Sequence, residues 1–421
     1  MTTPDTRTTP PSTKASPFTF ILVFGVVSCL MDIVYQGALS IQGPLLLSLG
    51  ASAGLVGIVS GLGEATSLIG RLISGPAADR TGRYWLFAIL GYAATAIAVP
   101  AMGFVGSIVG VSALVIFERF GKSLRTPSRD AMLSHAASAV GKGKGFALHE
   151  MMDQIGAMAG PLIVAGILSA THNAYGPALG ILAIPGAIAL IVLLVLRRRV
   201  PNPSTFEEDE ASKVDTSISG KVTDDQKPTS KRPSRRQSKK LPGIFWIYTC
   251  FCGIALAGVG TFGVMSYHMV DTGLFDTPAI PVLYAIAMGV DALFALITGS
   301  LYDKIGTKAL LFLPIVSALI PCFVFTQNHV VIIAGVMLWG ASLGIQESTM
   351  RAAVADMVPG NRRASSYGMF SVAVGVGALI GGIVVGLLYD VSPSAIMAYS
   401  IVTESIALII LAITLNKQKR R

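Results

Sequence analysis

The segment GPAADRTGRYW, residues 75–85, is a short polar stretch between two long apolar ones. The apolar stretches, residues 52–77 and 85–104, are each long enough to cross a bilayer as a helix, which takes about 20 residues. The chain must turn back sharply between them. Gly82 is expected to make this turn, because glycine adopts backbone angles that other residues avoid. The segment therefore predicts a tight connection between two membrane-spanning helices.

Asp79 lies within this connection, at the edge of the membrane. An isolated carboxylate in that position is costly unless a positive group lies close to it. The candidate partners are Arg80 and Arg83 in the same connection, Arg129, and the positive N-terminus of a neighbouring helix. We therefore expect Asp79 to pair with one of these groups.

Apolar segments recur along the whole chain. Of the 421 residues, 52% are hydrophobic and 13% are charged, and the mean hydropathy is +0.66. Soluble domains have about a quarter of their residues charged, so lipid is expected to surround most of this chain. Twelve segments are predicted to span a membrane: residues 18–42, 52–77, 85–104, 108–125, 145–170, 176–196, 242–269, 279–302, 308–325, 330–353, 365–389 and 393–415.

The predicted topology places Lys and Arg on one side of the membrane. The loops on the other side carry no Lys or Arg and contain Asp271, Asp276, His172 and His329 instead. Because cytoplasmic loops carry the excess of Lys and Arg, both termini are expected to be cytoplasmic, in a multi-pass protein of the plasma membrane. This topology accounts for the net charge of +9, and a nucleic acid partner is not expected.

A polar linker divides the chain into two membrane halves. It mixes acidic and basic runs with Pro, Ser and Thr and has almost no large apolar residues, which is typical of a disordered tether. The predicted parts are a cytoplasmic N-terminal tail (1–16), an N-terminal six-helix bundle (17–196), a disordered cytoplasmic linker (197–241), a C-terminal six-helix bundle (242–415) and a basic cytoplasmic tail (416–421).

The two halves share an internal repeat. Gly75, Asp79 and Gly82 recur 224 residues later as Gly299, Asp303 and Gly306. In the fifth and eleventh segments, Gly156 and Gly160 recur 221 residues later as Gly377 and Gly381. Arg129 and Arg351 begin the similar sequences RDAM and RAAV, 222 residues apart. Duplicated halves of this kind place the substrate site at their interface, near the bilayer midplane.

The connection at residues 75–85 resembles the signature of the major facilitator superfamily, Gly-x-x-x-Asp-Arg-x-Gly-Arg followed by a basic residue. Gly75, Asp79, Arg80, Gly82 and Arg83 match, and Tyr84 replaces the last basic residue. The resemblance implies an all-α membrane protein with twelve transmembrane helices in two pseudo-symmetric six-helix bundles. It also implies that Asp79, and more weakly Asp303, belongs to a cytoplasmic gate, with Asp79 tied to the eleventh helix in the outward-open state.

The fifth segment resembles part of the signature of the drug:proton antiporters in that superfamily, Gly-x-x-x-Gly-Pro-x-x-Gly-Gly. Gly156, Gly160 and Pro161 match, whereas Val164 and Ala165 replace the closing glycines. Arg119 in the fourth segment also matches an arginine of those antiporters, although Ser123 replaces the glycine expected four residues later. The alternative reading is close helix packing alone, since glycines four residues apart let two helices touch and proline bends a helix.

Ionisable residues inside the predicted spans are functional candidates, because each is costly in a bilayer unless it faces protein or water. His149, Glu150 and Asp153 fall on one face of the fifth helix and should not all be charged at once. They form either a proton-coupling group or an ion-paired cluster, for instance with Arg119. Glu64 is expected to pair with Arg71. The proton-coupling candidates are Asp32, Glu118, Arg119, His149, Glu150 and Asp153.

By resemblance, the first, fourth, seventh and tenth helices line the central cavity. Asp32 is the strongest candidate for contact with substrate or proton. The substrate-cavity candidates are Asp32, Tyr35, Gln36, His268, Asp291, Gln346 and Glu347. Eight acids against three bases (Arg71, Arg119 and Arg351) were counted inside the spans, and this balance favours cationic or neutral lipophilic substrates over anions.

These features predict a secondary transporter that works by alternating access, as a monomer, and that exports small lipophilic or cationic molecules in exchange for protons. A sugar or organic acid symporter or facilitator is the first alternative, and a non-transporting membrane receptor is a more remote one. The sequence has no P-loop and no zinc-binding histidine pair on a helix, so an enzyme, a metal site and a cofactor are not expected. The expected partners are a small-molecule substrate, protons and lipid.

Overall fold

The computed structural model describes residues 15–206, 241–358 and 362–419, which are almost entirely helical and contain no strand. Most of the tail predicted at residues 1–16 and of the linker predicted at 197–241 lies outside the described residues. The N-terminal bundle consists of α1 (Pro17–Ser40, followed by the short helix Gln42–Ser48), α2 (Ala53–Thr81), α3 (Tyr84–Met102), α4 (Ile108–Val140), α5 (Lys142–Ala170) and α6 (Ala183–Arg199, preceded by the short helix Tyr175–Gly180).

The C-terminal bundle repeats this arrangement with three interrupted helices. It consists of α7 in two parts, α7a (Gly243–Gly258) and α7b (Phe262–Asp271), α8 (Ala279–Ile305), α9 (Phe312–Val324, preceded by the 3-10 helix Gly306–Leu311), α10 (His329–Ile345, continued by the π-helical turn Gln346–Met350 and by Arg351–Met357), α11 (Arg363–Tyr389) and α12 (Pro393–Lys419). We call the face where α1 begins and α12 ends the terminal face, and the opposite one the distal face.

The predicted number of twelve spanning helices is confirmed. Ten stretches of the described chain are long, apolar and uncharged enough to cross a membrane. One of these stretches, Ala279–Val324, contains both α8 and α9. The remaining helix, α4, carries six Asp, Glu, Lys or Arg residues but is 33 residues long, which is more than enough to cross a membrane. Helix α4 continues to Val140, beyond the predicted end of the fourth span at residue 125, and Arg129 in this continuation lies against Asp153 of α5.

Local sequence signals explain where the helices begin and turn. Ser52 and Ser107 cap α2 and α4 by accepting a hydrogen bond from the backbone N–H three residues later. Gly82 ends α2 with a φ of +64°, in the left-handed region that glycine tolerates, and Gly306 ends α8 with a φ of +61°. The sharp turn predicted at Gly82 is therefore present, with its counterpart at the repeated position.

Glycines bring the first and fifth helix of each half into backbone contact. A Cβ on Gly156 or Gly160 of α5 would collide with the carbonyl oxygen of Cys29 or Ile33 on α1. In the second half, Gly377 and Gly381 of α11 lie in the same way against Gly253 and Ala257 of α7a. The equivalent contacts explain the repeated glycines and show the pseudo-symmetry of the two bundles.

The two bundles meet along α2 with α11 and along α5 with α8. On the distal face they are also joined by the short helix Gln42–Ser48, which packs on α7b. Gly43 leaves room there for the backbone at Gly263, and the Tyr284 hydroxyl of α8 donates a 2.6 Å hydrogen bond to Gln36 of α1. These contacts close the space between the bundles on the distal face; we call them the distal seal.

Gly57 of α2 lies at the tightest point of the interface between the bundles. A Cβ there would collide with the carbonyl oxygen of Gly382 and lie 2.9 Å from the Cα of Gly386. We expect Gly57→Leu to reduce transport at least tenfold, because the bundles can no longer approach on the distal side. Gly166→Leu is the matched control, since a Cβ at Gly166 of α5 meets nothing within 4 Å. Equal transport by the two variants, at equal amounts in the membrane, would contradict this packing role.

Candidate functional site

Four basic residues recur along one side of α4 at spacings of three and four: Arg119, Lys122, Arg125 and Arg129. Such spacing places side chains on a common helix face. Arg119 and Arg125 are buried, at 2% and 4% exposure, and the other two are partly buried. The sequence-based count of three bases was therefore wrong. It missed Lys122 and Arg125, although their spacing from Arg119 was a visible signal.

The part of this basic face that is nearer the distal face, at Arg119 and Arg125, belongs to a buried network of paired charges in the N-terminal bundle. Arg119 pairs with Glu64 of α2 at 2.9 Å and also donates a hydrogen bond to the Tyr35 hydroxyl. Glu118 accepts a 3.1 Å hydrogen bond from Thr95 and lies 3.9 Å from Arg125. Glu64 therefore pairs with Arg119, and the ion pair predicted with Arg71 is absent from the described structure.

Two acids and two bases compensate each other in this network: Glu64, Glu118, Arg119 and Arg125. Glu118 and Arg119, which were predicted as proton-coupling residues, are both fixed there by several partners. A buried ion pair with additional hydrogen bonds holds its helices in one arrangement, whereas removing one partner leaves an uncompensated charge. The arrangement is suited to holding α1, α2, α3 and α4 together.

The part of the basic face that is nearer the terminal face, at Arg129, contacts Asp153 of α5. Arg129 bonds to Asp153 at 3.1 Å and to Asp130 at 2.9 Å. His149 lies 3.5 Å from the same oxygen of Asp153 and 3.3 Å from Ser28 of α1. The other Asp153 oxygen and the His149 Nδ1 are buried without a hydrogen-bond partner in the described structure. The ion-paired partner of this group is thus Arg129, where the sequence suggested Arg119.

Glu150 is exposed, whereas His149 on the same helix is buried and Asp153 is partly buried. Its side chain forms no ion pair or hydrogen bond within the described parts of the chain. Its charge interacts with Asp32 of α1, Asp291 of α8 and Glu347 of α10. Glu150 is therefore the point at which acidic residues of both bundles come together.

We call Asp32, Glu150, Asp291 and Glu347 the interfacial acids. Gln154 of α5 donates a 3.4 Å hydrogen bond to Asp291, which crosses between the bundles. Glu347 lies in the π-helical turn of α10, a distortion that is frequent at functional sites. Two bases face the same region: Lys122, whose ammonium group lies 4.0 Å from the centre of the Tyr35 ring, and Arg351, which interacts with Glu347.

The remaining cavity candidates are distributed more widely. Gln36 bridges the bundles through Tyr284, and Gln346 donates a hydrogen bond to Ser342 on its own helix. His268 lies at the distal end of α7b, 2.9 Å from the Tyr389 hydroxyl, which in turn donates to Asp271. The structure places His268 in this distal cluster of α7b and α11, apart from the interfacial acids.

The gating connection is exposed on the terminal face. Asp79, Arg80 and Arg83 are exposed, and Asp79 accepts a 3.0 Å hydrogen bond from the Tyr84 hydroxyl. None of the predicted partners of Asp79 pairs with it in the described structure. The residue that replaces the usual basic position, Tyr84, supplies the contact instead.

The repeated connection in the second half has the same exposed character. A Cβ on Gly299 would meet only the Ser348 side chain within 4 Å, at 3.9 Å, and Asp303 is exposed. A Cβ on Gly75 in the first half would similarly lie 3.6 Å from the Pro127 side chain. Among the residues that the structure describes, neither Asp79 nor Asp303 is bonded to the opposite bundle.

Comparison with known proteins agrees with this architecture. The family model described as Major Facilitator Superfamily matches residues 21–291 and 264–421. An uncharacterized protein of Mycobacterium tuberculosis is 47% identical over 396 residues, covering 94% of this chain and 93% of its own. An uncharacterized MFS-type transporter of Methanocaldococcus jannaschii is 25% identical over 402 residues, covering 92% of each chain.

A shorter match and a solved structure extend the comparison. The class H tetracycline resistance protein of Pasteurella multocida is 27% identical over 142 residues, which cover 33% of this chain and 35% of its own. The crystal structure of the nucleoside transporter NupG superposes with a TM-score of 0.66 at 14% identity, covering 94% of this chain and 98% of that one. The structural likeness shows the fold, and the family model covers both bundles. The chain is a transporter that belongs to the major facilitator superfamily.

Proposed function

We propose that this transporter exports small lipophilic or cationic molecules in exchange for protons. The observation that carries the proposal is the set of interfacial acids, which both bundles contribute and none of which forms an ion pair among the described residues. Arg119 forms an ion pair with Glu64, and Arg125 forms one with Glu118. The partial likeness to a tetracycline resistance protein supports export over import.

The charge that remains at the interface favours a positive substrate. Once the paired residues are set aside, four carboxyl groups face Lys122 and Arg351. A cation can replace a proton on such a group, because both compete for the same negative charge. Competition of this kind is what couples substrate and proton movement in opposite directions, without ATP or another cofactor.

Proton exchange is assigned to Asp32 and Asp153, with His149 as the adjacent relay. The two carboxyl groups interact with each other, and like charges at a shared site disfavour simultaneous ionisation. Asp153 has one oxygen on Arg129 and one without a partner. Such a group can gain or lose a proton when the bundles rearrange around it.

Alternating access follows from the two faces of the interface. The distal seal closes one side, while Glu150 and Glu347 on the two bundles are exposed. We assign the terminal face to the cytoplasm of a plasma-membrane protein, because Lys and Arg are found there and are absent from the distal loops. The site is complete within one chain, so the protein is assigned as a monomer.

A metabolite carrier of the same fold is the second candidate. The observation in its favour is Lys122 among the interfacial acids, since a base beside acids also fits a substrate that carries a carboxylate. Proton-linked symport would use the same acids. The two functions differ in the direction of flux and in the charge of the substrate.

Everted membrane vesicles with an imposed proton gradient test the proposal. Lipophilic cations, neutral drugs and sugars are added in turn, and a fluorescent pH probe reports proton release. We expect proton release with cations, and its loss in Asp32→Asn and Asp153→Asn. Uptake of labelled sugars or organic acids, with no response to any cation, would replace export by the metabolite carrier.

Asp79 is expected to act as a latch on the cytoplasmic side when the distal face opens. We predict that Asp79→Asn slows transport by about tenfold, or 1.4 kcal/mol in the barrier, while the protein remains folded, because one charge-assisted contact to α11 is lost in that state. Asp303→Asn is the matched control at the repeated position and should have a smaller effect. A transport rate unchanged in Asp79→Asn would remove the latch from the mechanism.

A further inference from the structure

Helix α7 is interrupted between its two parts, at residues 259–261. Val259 and Thr261 have extended backbone angles, with ψ values of 124° and 149°. An interruption inside a membrane leaves backbone groups without their helical hydrogen bonds, so neighbouring side chains must satisfy them. Helix α12 does so: Tyr399 donates 3.0 Å to the carbonyl of Ala257, and Ser400 donates 2.8 Å to that of Gly258.

Glu404 lies one turn beyond Ser400 on α12 and points at the same interruption. It is 2% exposed, and its carboxyl group lies directly against the Cα of Gly258, where a Cβ would be 2.9 Å from the carboxyl carbon. Gly258 is therefore required for this close approach. A peripheral helix thus inserts an acid beside the flexible point of α7.

The Glu404 carboxyl group has no partner for either oxygen among the described residues. The Thr261 hydroxyl at the interruption is likewise buried without a partner. Helices α7, α9 and α11 and the 3-10 helix pack against α12. Their titratable side chains include Cys252, Cys322, Tyr367 and Lys308, and Tyr399 lies on α12 itself. None of these forms a hydrogen bond or ion pair with Glu404. An ionised carboxylate in this place would cost several kcal/mol, so the buried group holds a proton.

The interruption connects Glu404 to the distal seal. Helix α7b follows directly, and its Gly263 packs on the short helix Gln42–Ser48 of the other bundle. Any movement of α7b away from that helix bends α7 at residues 259–261 and changes the space in front of Glu404. Glu404 is separate from the interfacial acids, which lie on α1, α5, α8 and α10.

We propose that Glu404 is a second proton-binding site, and that its protonated form holds α7b in the distal seal. Loss of this proton creates an unpaired buried charge, which is relieved when α7b swings out and admits water to the interruption. The distal face then opens more readily as the pH rises. The proposal extends the proposed function by one proton site, but it concerns the empty transporter and does not rest on the identity of the substrate.

Distance measurements across the distal face test the proposal without substrate. Spin labels are placed at Phe104 and Val330, which are each 74% exposed, in different bundles, after the native cysteines are replaced by alanine. Nanodiscs are prepared at several pH values between 5 and 9. For one proton, the ratio of open to closed populations should change up to about tenfold per pH unit. In Glu404→Gln, which mimics the protonated acid, we expect less than a twofold change and the short distance throughout.

Three outcomes overturn the proposal. The first is a pH response in Glu404→Gln equal to that of the parent protein. The second is no pH response in the parent, and the third is a response to Na⁺ at constant pH in place of one to protons. Glu150→Gln is measured alongside. If the pH response of the distance is lost in Glu150→Gln but kept in Glu404→Gln, the response belongs to the interfacial acids. Glu404→Gln should melt at a temperature no lower than the parent at pH 8, which separates a lost switch from a lost fold.

Discussion

Replacing Asp153 by asparagine is expected to abolish proton-coupled transport, with a loss of at least tenfold in substrate-driven proton release. Asp153 accepts from Arg129 and lies beside His149, and its second oxygen is buried without a partner. Asparagine keeps the shape of the side chain but cannot exchange a proton. The loss corresponds to at least about 1.4 kcal/mol in the free energy that links proton and substrate.

Asp130→Asn is the matched control for this prediction. Asp130 bonds to the same arginine at 2.9 Å, but its side chain is 49% exposed against 13% for Asp153. We expect less than a twofold change in proton release for this variant. Measurement of both in everted vesicles, at equal protein amounts, decides the assignment. Equal losses in the two variants would mean that both aspartates only position Arg129.

Replacing Arg119 by glutamine is expected to destabilise the N-terminal bundle by about 3–5 kcal/mol, the usual effect of removing one partner of a buried ion pair. The side chain of Arg119 is 3% exposed and bonds to Glu64 and Tyr35. Without it, Glu64 loses its ion-pair partner inside the bundle. Thermal unfolding of the detergent-solubilised protein is the measurement, and we expect a large drop in the melting temperature.

The double variant Glu64→Gln with Arg119→Gln tests the physical reason for this loss. Two neutral amides can hydrogen-bond to each other and leave no uncompensated charge, so the double variant should recover at least half of the lost stability. Glu64→Gln alone should be milder than Arg119→Gln, because Arg119 retains Glu118 at 3.7 Å. A double variant as unstable as Arg119→Gln would show that packing of the arginine, and not charge balance, holds these helices.

The fold was readable from the sequence because membranes impose simple rules on a chain. The length of an apolar segment determines whether it crosses, and the repeated glycines at 82 and 306 mark equivalent turns. The glycine pairs of the fifth and eleventh helices predicted close contacts, and both are present against α1 and α7a. Each of these features depends on a few neighbouring residues, so a sequence pattern suffices to reveal it.

The charge pairs were not readable in the same way. Hydropathy averages over a segment and cannot tell which side of a helix faces lipid, so it did not show that α4 continues past residue 125 to Val140. The partner of Glu64 was sought two turns away on its own helix, whereas packing brings Arg119 from α4. The interruption of α7 at residues 259–261 leaves no mark in the hydropathy, and the position of Glu404 against it depends on the packing of α12 on α7. The length of α4, the partner of Glu64 and the surroundings of Glu404 all depend on contacts between segments that are distant in the sequence.

Accumulation by purified protein in liposomes tests the central claim, that Asp32 and Asp153 couple the movement of a substrate bound at the interfacial acids to protons. Labelled tetraphenylphosphonium is supplied outside while only a pH gradient, acidic inside, is imposed at zero membrane potential. The account predicts accumulation of the cation at least tenfold above equilibrium, abolished by nigericin and absent in Asp32→Asn and Asp153→Asn. Entry that is indifferent to the pH gradient, or equal in the parent and both variants, would contradict it.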